Sequence, residues 1–245
     1  TPAHRQDQHR VSHSVVIQSR SIDNLVPCVE ALRRHEPGIR VVVIDDGLDL
    51  SECYDVSPCQ DDFETRVHSS GVLFERIPGK PRFCFAANCN IGIEHAGGDV
   101  VLLNDDAILE TPRGFTAMQR AGQEHPEYGV ISAVCPDAQP EQRPQSIGLR
   151  PVARMVAFYA VLIPRRTIET VGLLDERFTA YGHEDDDYCL RVRQAELKIG
   201  AFDGCAVQHG KTENSTFRSD PEITNKYMEG RYQFRLKWGV YAELA

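Results

Sequence analysis

The chain has 245 residues, 41% of them hydrophobic, enough to bury one large core or two small ones. Its formal net charge of −9 argues against non-specific binding to bare nucleic acid, which needs a basic face. No apolar run approaches the roughly 20 residues of a membrane helix, no secretory leader pattern is present, and the cytoplasm is the compartment expected.

Residues 1–12 are polar and His-rich and read as a disordered tail. Residues 14–18, short and β-branched, predict a strand, followed by the polar loop Ser19-Arg20-Ser21. Leu25, Val29 and Leu32 recur at helical spacing up to Glu36, and Pro37-Gly38 stops the helix. Residues 41–44 form a fully apolar strand running into Asp45 and Asp46, as expected in a parallel sheet covered on both faces. Residues 48–70 read as irregular. A third strand is predicted over 72–75, a helix over 83–96, a fourth strand over 100–103, a helix over 115–124 and a strand over 130–134. This alternation is the α/β pattern. A Pro- and Gln-rich loop follows at 136–146, then a strand over 155–163 and a short helix over 164–171. A helix follows the acidic run at 184–187, two strands are predicted at 198–202 and 206–207, and a C-terminal helix at 222–238. With no repeat and no clear linker, residues 13–245 read as a single domain.

The eight cysteines include no CxxC pair. Most lie in apolar segments, where a free thiol behaves as a small hydrophobe; a zinc site would need closer pairing. Cys53 and Cys59, both in the polar stretch, are a candidate disulfide.

Two apolar strands end in paired acids, Asp45-Asp46 and Asp105-Asp106, and a third acidic cluster runs from Glu184 to Asp187. In open α/β sheets ligands bind beyond the carboxyl ends of the strands. Carboxylates there ligate Mg²⁺ or Mn²⁺, hydrogen-bond a nucleoside or act as general base on a hydroxyl. The plainer alternative is that each pair caps a helix or turns the chain. Asp187 has Arg191 four residues on, a helical ion-pair spacing. Arg82, Asn88 and Asn90 flank or begin the second helix and are weaker candidates; Trp238 is either a sugar-stacking ring or a core residue.

The run Phe85-Ala86-Ala87-Asn88-Cys89-Asn90-Ile91-Gly92, then Gly98-Asp99 and the strand into Asn104-Asp105-Asp106, resembles glycosyltransferase family 2, in particular its rhamnosyltransferase-like branch. So do Gly172-Leu173-Leu174-Asp175-Glu176-Arg177-Phe178 and Tyr181-Gly182-His183-Glu184-Asp185-Asp186-Asp187-Tyr188-Cys189-Leu190-Arg191. The resemblance covers residues 14–215 in order. It implies a GT-A fold: a Rossmann-like, mainly parallel central sheet with helices on both faces. Residues 13–110 would be the nucleotide-sugar half and 111–245 the acceptor and catalytic half. It further implies an inverting transfer of a hexosyl or deoxyhexosyl group from a UDP-, GDP- or dTDP-linked donor, with Mn²⁺ or Mg²⁺. The acceptor would be a glycan, small molecule, protein or modified base. Carried onto this sequence, Ser19, Arg20, Asp45, Asp46, Arg82, Asn90 and Asp105 would serve the donor. Asp106 and His209 would hold the metal, and Asp185 would be the base, with Glu184 beside it.

Glu196 stands where relatives carry Gly, and residues 136–156 match no known member. A nucleotidyltransferase would share the acids, but no glycine-rich basic phosphate loop follows the first strand. A non-catalytic sugar- or nucleotide-binding relative would be expected to lack Asp185; a metal-dependent hydrolase is a third alternative, which donor hydrolysis in the absence of acceptor would mimic.

Overall fold

The computed structural model describes residues 13–58, 64–179, 182–209 and 221–239. The expected N-terminal tail and Cys59 of the candidate disulfide lie outside them. Among the described residues eleven strands build one large sheet crossing both halves of the chain, in the order β3-β4-β5-β2-β1-β6-β10-β8-β11-β7, with β9 also paired to β11.

Its parallel block is β5 (Leu73–Pro78), β2 (Arg40–Asp45), β1 (His13–Ser19) and β6 (Asp99–Asn104). Alternation along these strands sorts the core into two faces. Val15, Ile17, Val41, Val43, Val101 and Leu103 pack under α1 (Ile22–His35) and α3 (Gly114–Glu124). Val16, Val42, Ile44, Val100 and Leu102 pack under α2 (Phe85–Ala96), α4 (Arg165–Val171) and α5 (Glu184–Gln194). A strand buried on both sides must be apolar at every position, which is why these strands read as continuous runs. Gly92 sets the distance between α2 and β1: a Cβ there would meet Val16 Cγ1 at 2.2 Å. The turn from α1 toward α3 is held by buried Glu36, whose carboxylate accepts from Thr116 N (2.9 Å) and Thr116 Oγ1 (2.7 Å).

The structure corrects four expectations. Residues 48–70 are not irregular: β3 (Cys53–Pro58) and β4 (Glu64–His68) form an antiparallel pair that extends the sheet through β5. Their alternation is masked by charged outward positions such as Asp55 and Arg66, which pair with each other at 2.8 Å. The strand over 155–163 is confined to β10 (Ala160–Ile163) and runs antiparallel to both β6 and β8 (Tyr128–Val134). The two short strands at 198–207 are one strand, β11 (Lys198–His209), with a register shift between Phe202 and Ala206. The sheet is therefore mixed rather than mainly parallel, with β7 (Ala107–Leu109) and β9 (Leu149–Pro151) antiparallel to β11. Three-residue strands carry too little periodicity to be read from sequence.

Glu196 follows α5 with φ = 60°, a left-handed residue after a helix end. That conformation favours Gly, the residue the family resemblance implies at this position, and Glu196 holds it at a backbone cost. The C-terminal helix, α6 (Ile223–Trp238), packs on α5 through Phe234 and Leu190.

Candidate active site

The strand senses bring the site to one rim. Ser19 is in register with Asp45, and Gln18 with Asn104, so the carboxyl ends of β1, β2 and β6 are level. Antiparallel β10 begins at the same rim, with Tyr159 O accepting from Asn104 N at 2.9 Å. Parallel to β8, β11 delivers His209 there. A cleft of about 720 Å³ opens at this rim, lined among others by Asp105, Asp106, His209, Glu184 and Asp185.

Asp106 follows β6, and its Oδ1 lies 3.3 Å from Nε2 of His209. The His209 ring stacks on Tyr159, with centroids 5.0 Å apart. Asp105 accepts a hydrogen bond from Ser19 Oγ at 2.7 Å. Burial, reinforced by the neighbouring Asp106, raises the Asp105 carboxyl to about 6. The Asp106 and His209 atoms form an oxygen-and-nitrogen pair on which one divalent ion can seat. Among the described residues no cluster of three or more His, Cys, Asp or Glu closes a metal site. An open pair fits a metal whose remaining ligands are water and substrate phosphate.

The acids of the third cluster form the first turn of α5. Two successive left-handed residues, Gly182 (φ = 83°) and His183 (φ = 72°), swing the chain into that helix. A non-glycine residue in this region is uncommon and concentrates at functional sites. His183 Nδ1 lies 2.6 Å from Asp186 Oδ2, fixing the turn. Glu184 is buried, and its Oε2 has no hydrogen-bond partner among the described residues. Asp185 is half-buried in the cleft wall, with Oδ1 accepting from Asp186 N at 2.8 Å. Both carboxyls are raised well above the ordinary range. Burial is the main cause for each; the Asp186 charge adds to both, and the Asp185 charge adds to Glu184.

Not every candidate converges. Asp46 is half-buried beside the cleft, paired with Arg20 and accepting from Asn88 Nδ2 at 3.3 Å. The Arg20 guanidinium covers the Phe83 ring at 4.5 Å. Asp46 N donates to Ser19 O at 2.9 Å, which ties this pair to Asp105 through Ser19. Asp45 is used within the fold. Its Oδ1 accepts from Gly47 N (2.8 Å) and Leu48 N (2.7 Å), and its Oδ2 from Arg76 Nε (2.7 Å). Asn90 is also turned away, bonding Leu174 O and Leu174 N at 2.9 Å each and so tying α2 to the segment before α5. Arg82 is exposed and does not line the cleft. Trp238 is not a cleft residue; its Nε1 donates to Asp187 Oδ1 at 2.8 Å. Asp187 meets Arg191 at 2.9 Å, as the spacing predicts.

The sequence reading missed Tyr159, Arg154, Tyr227, Arg231 and Arg235, all of which line the cleft. The one available signal was the four-residue spacing of Tyr227, Arg231 and Arg235, a single face of α6.

Sheet order and rim define an architecture shared with glycosyltransferases of the GT-A class, as expected from the resemblance. The chain superposes on GalNAc-T7 with UDP, GalNAc and Mn²⁺ at a TM-score of 0.70 and 13% identity, over 97% of this chain and 50% of that one. It superposes on the mannosyltransferase PcManGT from Pyrobaculum calidifontis, in complex with GDP-Man and Mn²⁺, at 0.64 and 12% identity, over 93% of this chain and 65% of that one. The chain thus spans about half and two thirds of the lengths of these proteins, and at such identities the likeness is one of fold. No protein-family profile matches the chain, and no curated protein does.

Proposed function

We propose that this chain is an inverting, divalent-metal-dependent glycosyltransferase that moves a hexosyl or deoxyhexosyl group from a nucleotide-diphosphate sugar to an acceptor hydroxyl. The observation that carries this reading is the cleft in which Asp106 and His209 lie with Asp185, in a fold shared with GT-A glycosyltransferases. The motif resemblance to family 2 supports it, as does the fold shared with two proteins that bind UDP or GDP-Man together with Mn²⁺.

In this reading Asp106 and His209 hold the ion, Mn²⁺ or Mg²⁺. When bound, the ion grips the donor diphosphate and neutralises the charge that develops on it. Asp105, Ser19 and the Arg20–Asp46 pair shape the nucleoside side. Asp185 takes the proton of the acceptor hydroxyl as its oxygen bonds to the anomeric carbon. The bond from that carbon to the diphosphate oxygen breaks, and nucleoside diphosphate leaves. A carboxyl raised by burial is a stronger base than an exposed one, which suits this step.

The test is a thermal-shift panel of UDP, GDP and dTDP with and without Mn²⁺. A nucleotide present at about 100-fold over its Kd adds about 2.7 kcal/mol of stability. For a chain of this size that is a rise in Tm on the order of 5–10 °C. No metal-dependent rise with any of the three would overturn the reading.

A further inference from the structure

Arg154, Arg231 and Arg235 are the only lysine or arginine residues lining the cleft among the described residues. All three are exposed at its mouth, in a protein of net charge −9. Arginines elsewhere, such as Arg20, Arg76, Arg150 and Arg191, sit in ion pairs. Among the described residues the side chains of these three have no acidic partner and no hydrogen bond. Six carboxylates line the same cleft, yet none of them takes up these guanidiniums.

Their placement is specific. Both segments that carry them are anchored to α5, the helix of Asp185. The α6 helix docks there through Phe234, whose ring stacks on His183 at 5.3 Å, and through the Trp238–Asp187 hydrogen bond. Residues 152–156 dock there through Val152 O, which accepts from Arg193 Nη2 at 3.4 Å, and Val156 O, which accepts from Cys189 Sγ at 3.9 Å. The arginines therefore belong to the base side of the cleft, while the Asp106–His209 pair belongs to the ends of β6 and β11. One turn before Arg231, on the same face of α6, Tyr227 is 43% exposed, with its ring 5.0 Å from that of His183. An aromatic face beside a guanidinium pair matches a sugar ring with an anionic substituent. Guanidinium groups bind carboxylate and phosphate in a bidentate fork.

We propose that the Asp185 side of the cleft is an acceptor subsite for an acidic saccharide: Arg154, Arg231 and Arg235 hold its carboxylate or phosphate, and Tyr227 takes its ring face. The subsite rests on the glycosyl-transfer reading and adds the acceptor class to it. Exposed cations attract such an acceptor by a field that salt screens over about 10 Å at 0.1 M.

The test compares three probe acceptors: methyl glucoside, methyl glucuronide and methyl glucoside 6-phosphate. Each is assayed with UDP-, GDP- and dTDP-linked sugars and Mn²⁺, with donor hydrolysis followed in parallel. At least one acidic acceptor should show a KM about tenfold or more below that of the neutral one, and this advantage should shrink as salt rises. Whichever acid wins separates a carboxylate from a phosphate acceptor. Arg231→Gln with Arg235→Gln should raise the acidic acceptor's KM about tenfold, and the paired Lys variants should recover part of it. The affinity for whichever of UDP, GDP or dTDP binds the wild type with Mn²⁺, measured by calorimetry, should stay at the wild-type value. Circular dichroism checks folding, which two exposed side chains are not expected to disturb. Equal KM values for neutral and acidic acceptors would overturn the subsite. Weakened binding of that nucleotide with Mn²⁺ in the Gln variants would overturn it too, by placing the arginines on the donor. Absence of both hydrolysis and transfer with every donor would remove the transfer reading, and the subsite with it.

Discussion

Two carboxylates at opposite sides of the cleft make separable predictions. Asp185→Asn keeps the shape of the wall but removes the proposed base. It should lower transfer about 10²–10⁴-fold while metal-dependent nucleotide binding persists; a parallel loss of nucleotide affinity would contradict the assignment. The base works only when ionised. Because burial and the Asp186 charge raise the Asp185 carboxyl, activity should fall on the acid side well above the ordinary carboxylate pKa of about 4. Replacing Asp186 by Asn removes a like charge, lowers the Asp185 pKa and should move that acid limb to lower pH. Asp106→Ala should abolish Mn²⁺-dependent nucleotide binding; identical affinities with Mn²⁺ and with EDTA would count against the ligand role. The site residues were legible where an acid ends an apolar strand, as at Asp105 and Asp106. Asp45 shows the limit of that reading. The same residue type at the same kind of strand end is satisfied by Gly47 N, Leu48 N and Arg76, and that choice depends on where Arg76 of β5 arrives.

The α6 helix is the least self-explanatory element. Its polar and apolar residues hardly segregate, and it leaves Met228, Tyr232 and Leu236 exposed. A charge cluster holds it in place: Lys237 Nζ meets both Asp175 Oδ2 and Asp187 Oδ1 at 2.6 Å. The Arg177 and Lys237 contacts hold the Asp175 carboxyl far below the ordinary range. A folded-state pKa below the unfolded value means that the stabilisation is present above about 4 and is lost as pH falls from there. Trp238, the single tryptophan, reports on this docking through its bond to Asp187. Its fluorescence should shift toward that of an exposed indole as pH falls below about 4, and Lys237→Met should bring the change to higher pH. An acid transition at the same pH in Lys237→Met as in the wild type would argue against the latch.

At the scale of the whole molecule, the two halves inferred from the chain share one sheet. The β6 strand of the first half pairs with β10 of the second along Val100–Leu103. Leu103 and Leu162 lie in one core cluster, and Leu102 and Val161 in the other. Separating the halves would expose both cores, so the chain should unfold as one cooperative unit. Urea transitions followed by Trp238 fluorescence and by far-UV circular dichroism should coincide. Two resolved midpoints would show that the halves melt apart. The same continuity lets strands far apart in sequence present Asp106, Asp185 and His209 at one rim.

Local order was determined by the sequence alone. The continuous apolar strands, the helix stops at Pro37-Gly38 and Gly97-Gly98, and the acids closing β2 and β6 are all short-range patterns, because strand and helix periodicity act over a few residues. Strand direction, the β3–β4 pair and the union of the two short strands into β11 were decided by tertiary structure. Each depends on pairing with a distant partner that local pattern does not encode. The cleft belongs to the second kind. Tyr159, Arg154, Tyr227, Arg231 and Arg235 join Asp185 in one cleft only because β10 runs backward and α6 folds onto α5. No residue in those segments announces that return in its own neighbourhood.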